Sequence, residues 1–159
     1  MRYDVPLIPQ STPDSCWAAS IAMILGWRDK ASYSDVALAR NVGGIDYSPS
    51  LKTGLDPNDR YILERNGFAL EAPQCYTEQA IRSLLQRRGP LWVASAIPSP
   101  HIRVVTGIRG HQLNINDPWA PGVGAQYIRS FTDFFGQMEQ LGGKELAEKA
   151  PVYVAYLRR

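Results

Sequence analysis

Histidine and cysteine are scarce in this sequence, with two of each among 159 residues. Cys16 and Cys75 do not form a metal-ligand spacing, and with only His101 and His111 to add, no metal site is expected. Two cysteines also exclude a disulfide framework, although a single Cys16–Cys75 bridge stays open. An excess of one charge is missing too: 17 Lys and Arg stand against 15 Asp and Glu, a net charge of +2. That balance argues against a nucleic-acid or membrane-surface partner. Arg87-Arg88 and Arg158-Arg159 read as short solvated basic ends. No run approaches the roughly 20 apolar residues of a membrane span. The opening Met1-Arg2-Tyr3-Asp4-Val5-Pro6 has no apolar core of a signal peptide. The chain is therefore expected to be made in the cytoplasm without a Sec signal. Export would use a specialised secretion system, or the chain would be a piece of a longer one. Repeats and low-complexity segments are absent as well.

What is present is an ordinary globular composition, 45% hydrophobic and 20% charged, at a length that suits one domain. The organising stretch runs from Val5 to Ser20. It begins extended, with prolines at 6, 9 and 13, then meets a helix start that Asp14 or Ser15 can cap. Apolar residues at 17, 21, 24 and 25 follow with helical spacing. Cys16 thus falls in the first turn of a buried helix. Unpaired N–H groups and the positive dipole end favour a thiolate there. The competing reading is a small apolar side chain filling a helix contact. Neighbours favour chemistry. Gln10, six residues upstream, can donate an amide N–H to an oxyanion beside the Cys16 N–H, and Trp17 can wall the site.

Further along, the helix ends near Gly26-Trp27, and Ser32-Tyr33-Ser34-Asp35 offers a cap for a short helix from Asp35 to Arg40. Gly44 to Gly54 reads as a loop. Asp56-Pro57 starts a third helix ending at Asn66-Gly67. Phe68 to Glu71 suits a short strand, and Thr77 caps a helix to Arg87, closed by Gly89-Pro90. Strands are then expected at 91–94, 102–108, 112–117, 126–131 and 152–157, with a helical stretch from Thr132 to about Leu141. The fold class is α+β: a helical half, 1–88, followed by an antiparallel sheet half, 89–159, in one domain.

His101 opens one strand and Asp117 closes the next, and the hairpin between them turns near Gly110. Its two ends are adjacent, so both side chains sit at one end of the sheet. Taken singly, His101 suits a surface loop and Asp117 the start of an Asp-Pro turn. With Gln10 and Cys16 ahead of them they form a set. Cys16 is the nucleophile, His101 the general base and later acid, and Asp117 the group that orients the imidazole. His111 lies at the hairpin tip and reads as a solvated turn residue; Cys75 reads as structural or incidental.

These residues resemble a papain-like cysteine peptidase: Gln10, then Cys16-Trp17 opening a helix, His101 opening a strand, Asp117 ending the next, and Trp119 two residues beyond. More narrowly, Val5 to Gln10 with Ser15 to Met23 and Gly26-Trp27-Arg28 is similar to the AvrRpt2-type bacterial family, and more distantly to C39-like peptidases. The plant-type Cys-Gly-Ser-Cys-Trp context is absent, and the acid is Asp rather than Asn. The resemblance implies a papain-like fold, with the nucleophile helix packed on the sheet. It implies peptide-bond hydrolysis through a Cys16 thioester, an oxyanion held by Gln10, and Trp119 shielding the His101–Asp117 pair. No cofactor is implied. The expected partners are a protein or peptide substrate, with an activating host factor or a cognate inhibitor or immunity protein beside it. An effector or toxin role is expected. The alternatives are another thiol acyl-transfer enzyme (peptidoglycan amidase, deamidase or transglutaminase-like) and a catalytically quiet binding domain.

Overall fold

Helix α1 (Cys16–Asp29) is buried on every side, with every residue from Trp17 to Gly26 inside. A helix that is apolar or small all round belongs in the interior. The computed structural model that shows this describes residues 1–55, 61–72, 74–95, 100–136 and 152–158. Two features of α1 differ from the sequence expectation. Ser15 occupies the N-cap position, but neither its side chain nor that of Asp14 caps the helix. The Ser15 hydroxyl instead accepts from the N–H groups of Ser11 and Thr12 and donates to Asp35. The helix also continues past Gly26 to Asp29, where Lys30 turns left-handed at φ 54. Glycine is needed at 26 for the chain reversal that follows, since a Cβ there would stand 2.9 Å from the Ala31 carbonyl oxygen.

Helix α2 (Asp35–Arg40) starts as expected, with the Ser34 hydroxyl accepting from the Ala37 N–H. The stretch expected as a loop up to Gly54 contains a one-turn helix α3 (Ser50–Thr53), because Leu51 turns into the core. Asp56 and Pro57, the expected start of the third helix, lie outside the described residues. Its end is described as α4 (Tyr61–Arg65). Strand β1 (Phe68–Leu70) and helix α5 (Glu78–Arg88) follow, the latter capped by Thr77. Then come β2 (Leu91–Ser95), β3 (His101–Arg109), β4 (Gln112–Asp117) and β5 (Ala125–Ser130). A wide helical turn (Thr132–Gly136) and β6 (Tyr153–Leu157) complete the described chain. The rest of the helix expected after Thr132 lies outside the described residues.

The six strands form one antiparallel sheet in the order β1-β6-β2-β3-β4-β5. Its strands alternate between two apolar faces. Trp92, Ile102, Val104 and Ala155 pack with α1. Leu91, Val93, Val105, Leu113, Ile115 and Val154 pack with α5 and with Phe134 and Phe135. The chain is thus α+β, with α5 and the aromatic turn covering the face away from α1.

The β3–β4 hairpin carries a bulge. Ile108 pairs with Leu113 and Gly107 with Asn114, but Val105 pairs with Ile115 and Val104 with Asn116, so Thr106 is an extra residue. Extending the register of the outer pairs sets Arg103 opposite Asp117. β4's own alternation puts Asp117 on the face of Leu113 and Ile115, away from α1. Without the bulge, Val104 would stand opposite it; the inserted residue in β3 turns His101 and Arg103 onto that face and Ile102 and Val104 toward α1.

The N-terminal segment seats this bulge. Tyr3 N–H donates to the Thr106 carbonyl at 2.8 Å, and Ile108 N–H to the Met1 carbonyl at 2.9 Å. The approach is so close that a Cβ on Gly107 would stand 2.5 Å from the Met1 oxygen and 2.6 Å from Arg2 Cα. Gly107→Ala is therefore expected to cost about 1–3 kcal/mol, as other overpacking changes do. The drop is read from the urea midpoint. An unchanged midpoint would show that the segment does not clamp the bulge.

Candidate active site

The segment that delivers Cys16 is tied down on both sides. Gln10 N–H donates to the Pro118 carbonyl at 3.0 Å, and Gly122 N–H donates to the Gln10 carbonyl at 2.9 Å. The strand leading to the nucleophile is thus laced to the loop that follows Asp117. On the other side, the buried Asp35 carboxylate accepts at Oδ2 from the Ser11 N–H and from the Ser11 and Ser15 hydroxyls, each at 2.7 Å. The Thr12 hydroxyl donates to the Leu51 carbonyl. Asp35 reads in sequence only as the first residue of α2. Its role as a clamp on the loop from 11 to 15 depends on a contact that local patterns do not carry.

Gln10 itself is fully buried. Its amide Nε2 donates to the carbonyls of Thr12 at 2.7 Å and Pro13 at 2.9 Å, while Oε1 has no partner among the described residues. The two carbonyls also fix which way the amide points, since a flipped amide would set oxygen against oxygen. An oxyanion held by Gln10 competes with these carbonyls for Nε2. The Cys16 N–H, in the first turn of α1, is the other donor in place.

Cys16 is partly exposed and free, as is the exposed Cys75, so the alternative of a bridge between them is corrected. Burial pushes the Cys16 thiol up. The backbone N–H groups of Ile102, Trp17 and Cys16 itself act in the opposite sense, and the Asp117 charge adds to the rise. The sulfur therefore lies beside the residue that follows His101, at the start of β3. Trp17 is wholly buried, and its indole N–H donates to the Ser50 carbonyl at 3.2 Å. It supports α3 from within the core instead of facing solvent.

His101 is the first residue of β3, opposite Ser95 on β2. Its Nε2 is 2.6 Å from Asp117 Oδ1. With Nε2–H given to the carboxylate, Nδ1 is the ring nitrogen available as a base. Asp117 accepts four hydrogen bonds in all: His101 Nε2 and the Trp119 N–H (3.0 Å) at Oδ1, Arg103 Nε and the Tyr127 hydroxyl (2.9 Å each) at Oδ2. Burial alone would raise its pKa. The His101 hydrogen bond and charge, the Trp119 N–H and the Arg103 charge outweigh it and hold Asp117 well below the usual carboxylate range. Trp119 touches Asp117 through its backbone, and the residue is 51% exposed.

The family model for papain-like cysteine protease AvrRpt2, Peptidase_C70, matches residues 1–139. The chain belongs to this family. Membership makes the C70 domain a hydrolase with a peptide substrate. No curated protein matches it. Among solved structures it is similar in fold to the peptidase domain of Streptococcus ComA, a bi-functional ABC transporter involved in a quorum sensing pathway. That pair has a TM-score of 0.59 and 18% identity, over 96% of this chain and 98% of that one. It is likewise similar to a C39-like peptidase structure from Bacillus anthracis, with a TM-score of 0.62 and 14% identity over 99% and 96%. A double glycine motif protease from an AMS/PCAT transporter, solved with its leader peptide, gives a TM-score of 0.53 and 19% identity over 99% and 94%.

Two residues that hold the Asp117 carboxylate were not singled out by sequence. Arg103 had a readable signal: a lone charge inside an apolar strand, two residues from His101 and so on its face. Tyr127 had none, because its reach to Asp117 depends on the β4–β5 register, in which it stands opposite Ile115 and Ala125 opposite Asp117. His111 sits at the far end of the hairpin, 87% exposed and 2.6 Å from Glu78, as its place in the turn implies. Among the described residues, no group of three or more His, Cys, Asp or Glu side chains is placed to hold a metal ion. No described helix is long and apolar enough to cross a membrane.

Proposed function

We propose that the C70 domain cleaves peptide bonds through a thioester on Cys16. The observation that carries this reading is the 2.6 Å His101–Asp117 pair at the start of β3, with the Cys16 sulfur beside the next residue's N–H. His101 Nδ1 holds the proton taken from the thiol, and the Sγ thiolate attacks the scissile carbonyl carbon. The oxyanion is held by the Cys16 N–H and by Gln10 Nε2, which must then loosen from Thr12 or Pro13. The imidazolium gives its proton to the departing amine. A water then loses a proton to His101, attacks the thioester and frees the acid. Asp117 keeps Nε2–H in place throughout. Family membership also supports reading the domain as a delivered effector or toxin module, exported by a specialised system, with a host activator or a cognate inhibitor as its partner.

The test is product analysis in H₂¹⁸O with an unfolded protein substrate, with and without host-cell extract. New C-termini carrying ¹⁸O, without ammonia, are expected. Ammonia release without new termini would replace this reading with deamidation or transamidation. Cleavage of muropeptides alone would replace it with a peptidoglycan amidase, and no turnover of any of these would leave a binding domain.

A further inference from the structure

We propose that Arg103 is a positioning residue that sets the pH window of the Cys16–His101 pair by sharing the Asp117 carboxylate. The proposal rests on the reading of Cys16, His101 and Asp117 given above. The two carboxylate oxygens of Asp117 are divided. Oδ1 faces His101 and the Trp119 N–H, and Oδ2 faces Arg103 at 2.9 Å and the Tyr127 hydroxyl at 2.9 Å. The bulge at Thr106 makes this division possible, since it sets Arg103 across from Asp117 and His101 two residues along the same face. Arg103 is held where it works. Its guanidinium carbon lies 5.9 Å from the centroid of the buried Phe134 ring, and its side chain is only 21% exposed.

The groups that bear on Asp117 come from three elements. His101 and Arg103 reach it from β3, Tyr127 from β5, and Cys16 from α1 feels its charge. Arg129, also on β5, acts on Tyr127. Burial pushes the Tyr127 hydroxyl up to about 12, with Arg103 opposing and Asp117 adding to the rise, so it stays a neutral donor. Arg103 is thus the fixed cation against this carboxylate, and it offsets part of the field that Asp117 casts on the thiol and the imidazole. Take that cation away and the thiol proton is held more tightly, so the thiolate forms at higher pH. A residue that served only packing would lower the rate and leave the acid limb in place.

The experiment is the pH dependence of Cys16 alkylation by iodoacetamide, read peptide by peptide by mass spectrometry. Wild type is compared with Arg103→Gln, Arg103→Met and Arg103→Lys, each checked for folding by circular dichroism. The exposed Cys75 serves as reference thiol in the same digest. In either neutral variant, the acid limb of Cys16 reactivity is expected to move up by about one unit, a shift of the size one nearby charge produces. Below that limb the rate falls about tenfold. Arg103→Lys, which keeps the charge, is expected to return toward wild type. A limb that stays at the wild-type position in a folded neutral variant overturns the proposal and leaves the peptidase reading intact. A wild type that shows no reactivity below that of Cys75 overturns both.

Discussion

Cys16→Ala and His101→Ala are each expected to cut kcat by roughly 10⁵–10⁶-fold, and the double variant by no more than either alone, as nucleophile and base act as one unit. The physical reason lies in the surroundings of the sulfur. Burial and the Asp117 charge both disfavour a thiolate at Cys16, and the N–H groups of Ile102, Trp17 and Cys16 offset this only in part, so the net direction is up. On the proposed reading, a thiolate in this place is paired with the imidazolium of His101. His101→Ala should thus do more than remove a base. It should leave Cys16 reacting with iodoacetamide only above the ordinary thiol value of about 8.5. Wild type should already react at about pH 5 to 6. The two readouts together are decisive. Additive losses in the double variant, or fast alkylation of the His101→Ala protein in mild acid, would show that Cys16 and His101 do not form a pair.

The parts of this site that were legible in the sequence are those set by local rules. Ser34 and Thr77 announce helices because a hydroxyl at that position satisfies an N–H three residues on, and both do so. The run Gln112-Leu113-Asn114-Ile115 alternates because Leu113 and Ile115 pack on the α5 side, whereas Asn116 and Asp117 are both buried, so the expected half-buried strand is covered on both faces at its end. The ends of a short hairpin must be neighbours, which is why His101 and Asp117 were legible as a pair. Other features depend on contacts between distant segments. The same Ser-at-the-start pattern misleads at Ser15, where a buried Asp35 offers the hydroxyl a charged acceptor, and the hydroxyl takes two loop N–H groups in place of the helix's own. Gln10 has the right spacing from Cys16. Its amide hydrogens nonetheless go to Thr12 and Pro13, because a buried amide takes the nearest carbonyls. The bulge at Thr106 has one local mark, the glycine that follows it inside the strand, and that mark does not say where the extra residue falls. The N-terminal segment pairs with Thr106 and Ile108 from outside the hairpin. Yet this one residue decides whether His101 and Arg103 share the face of Asp117, so an argument from hairpin ends alone finds the right pair without the reason it can meet.

Asp117→Ala is expected to destabilise the domain by about 3–5 kcal/mol, the cost of breaking a buried ion pair from one side. Four donors lose their acceptor at once: His101, the Trp119 N–H, Arg103 and Tyr127. Arg103 is left as a largely buried cation over the Phe134 ring with no carboxylate beside it. Asp117→Asn should cost less, because one carbonyl oxygen remains, though its NH₂ must then face donors at the other end. The same contacts fix the sign of the acid response. Because the folded carboxyl is held below its unfolded value, its contribution is complete above the ordinary aspartate pKa of about 3.9. It is lost as pH falls from there toward the folded value. Urea midpoints of the wild type should therefore drop steeply below about pH 4, and those of Asp117→Asn should follow a shallower slope over the same window. Parallel slopes would mean that Asp117 is no better held in the folded chain than in the unfolded one. The four donors would then be poorly engaged in solution. Arg103 would have no anchored carboxylate to share, and His101 no fixed partner for Nε2, so a single equilibrium measurement bears on the orientation of the base and on the pH window together.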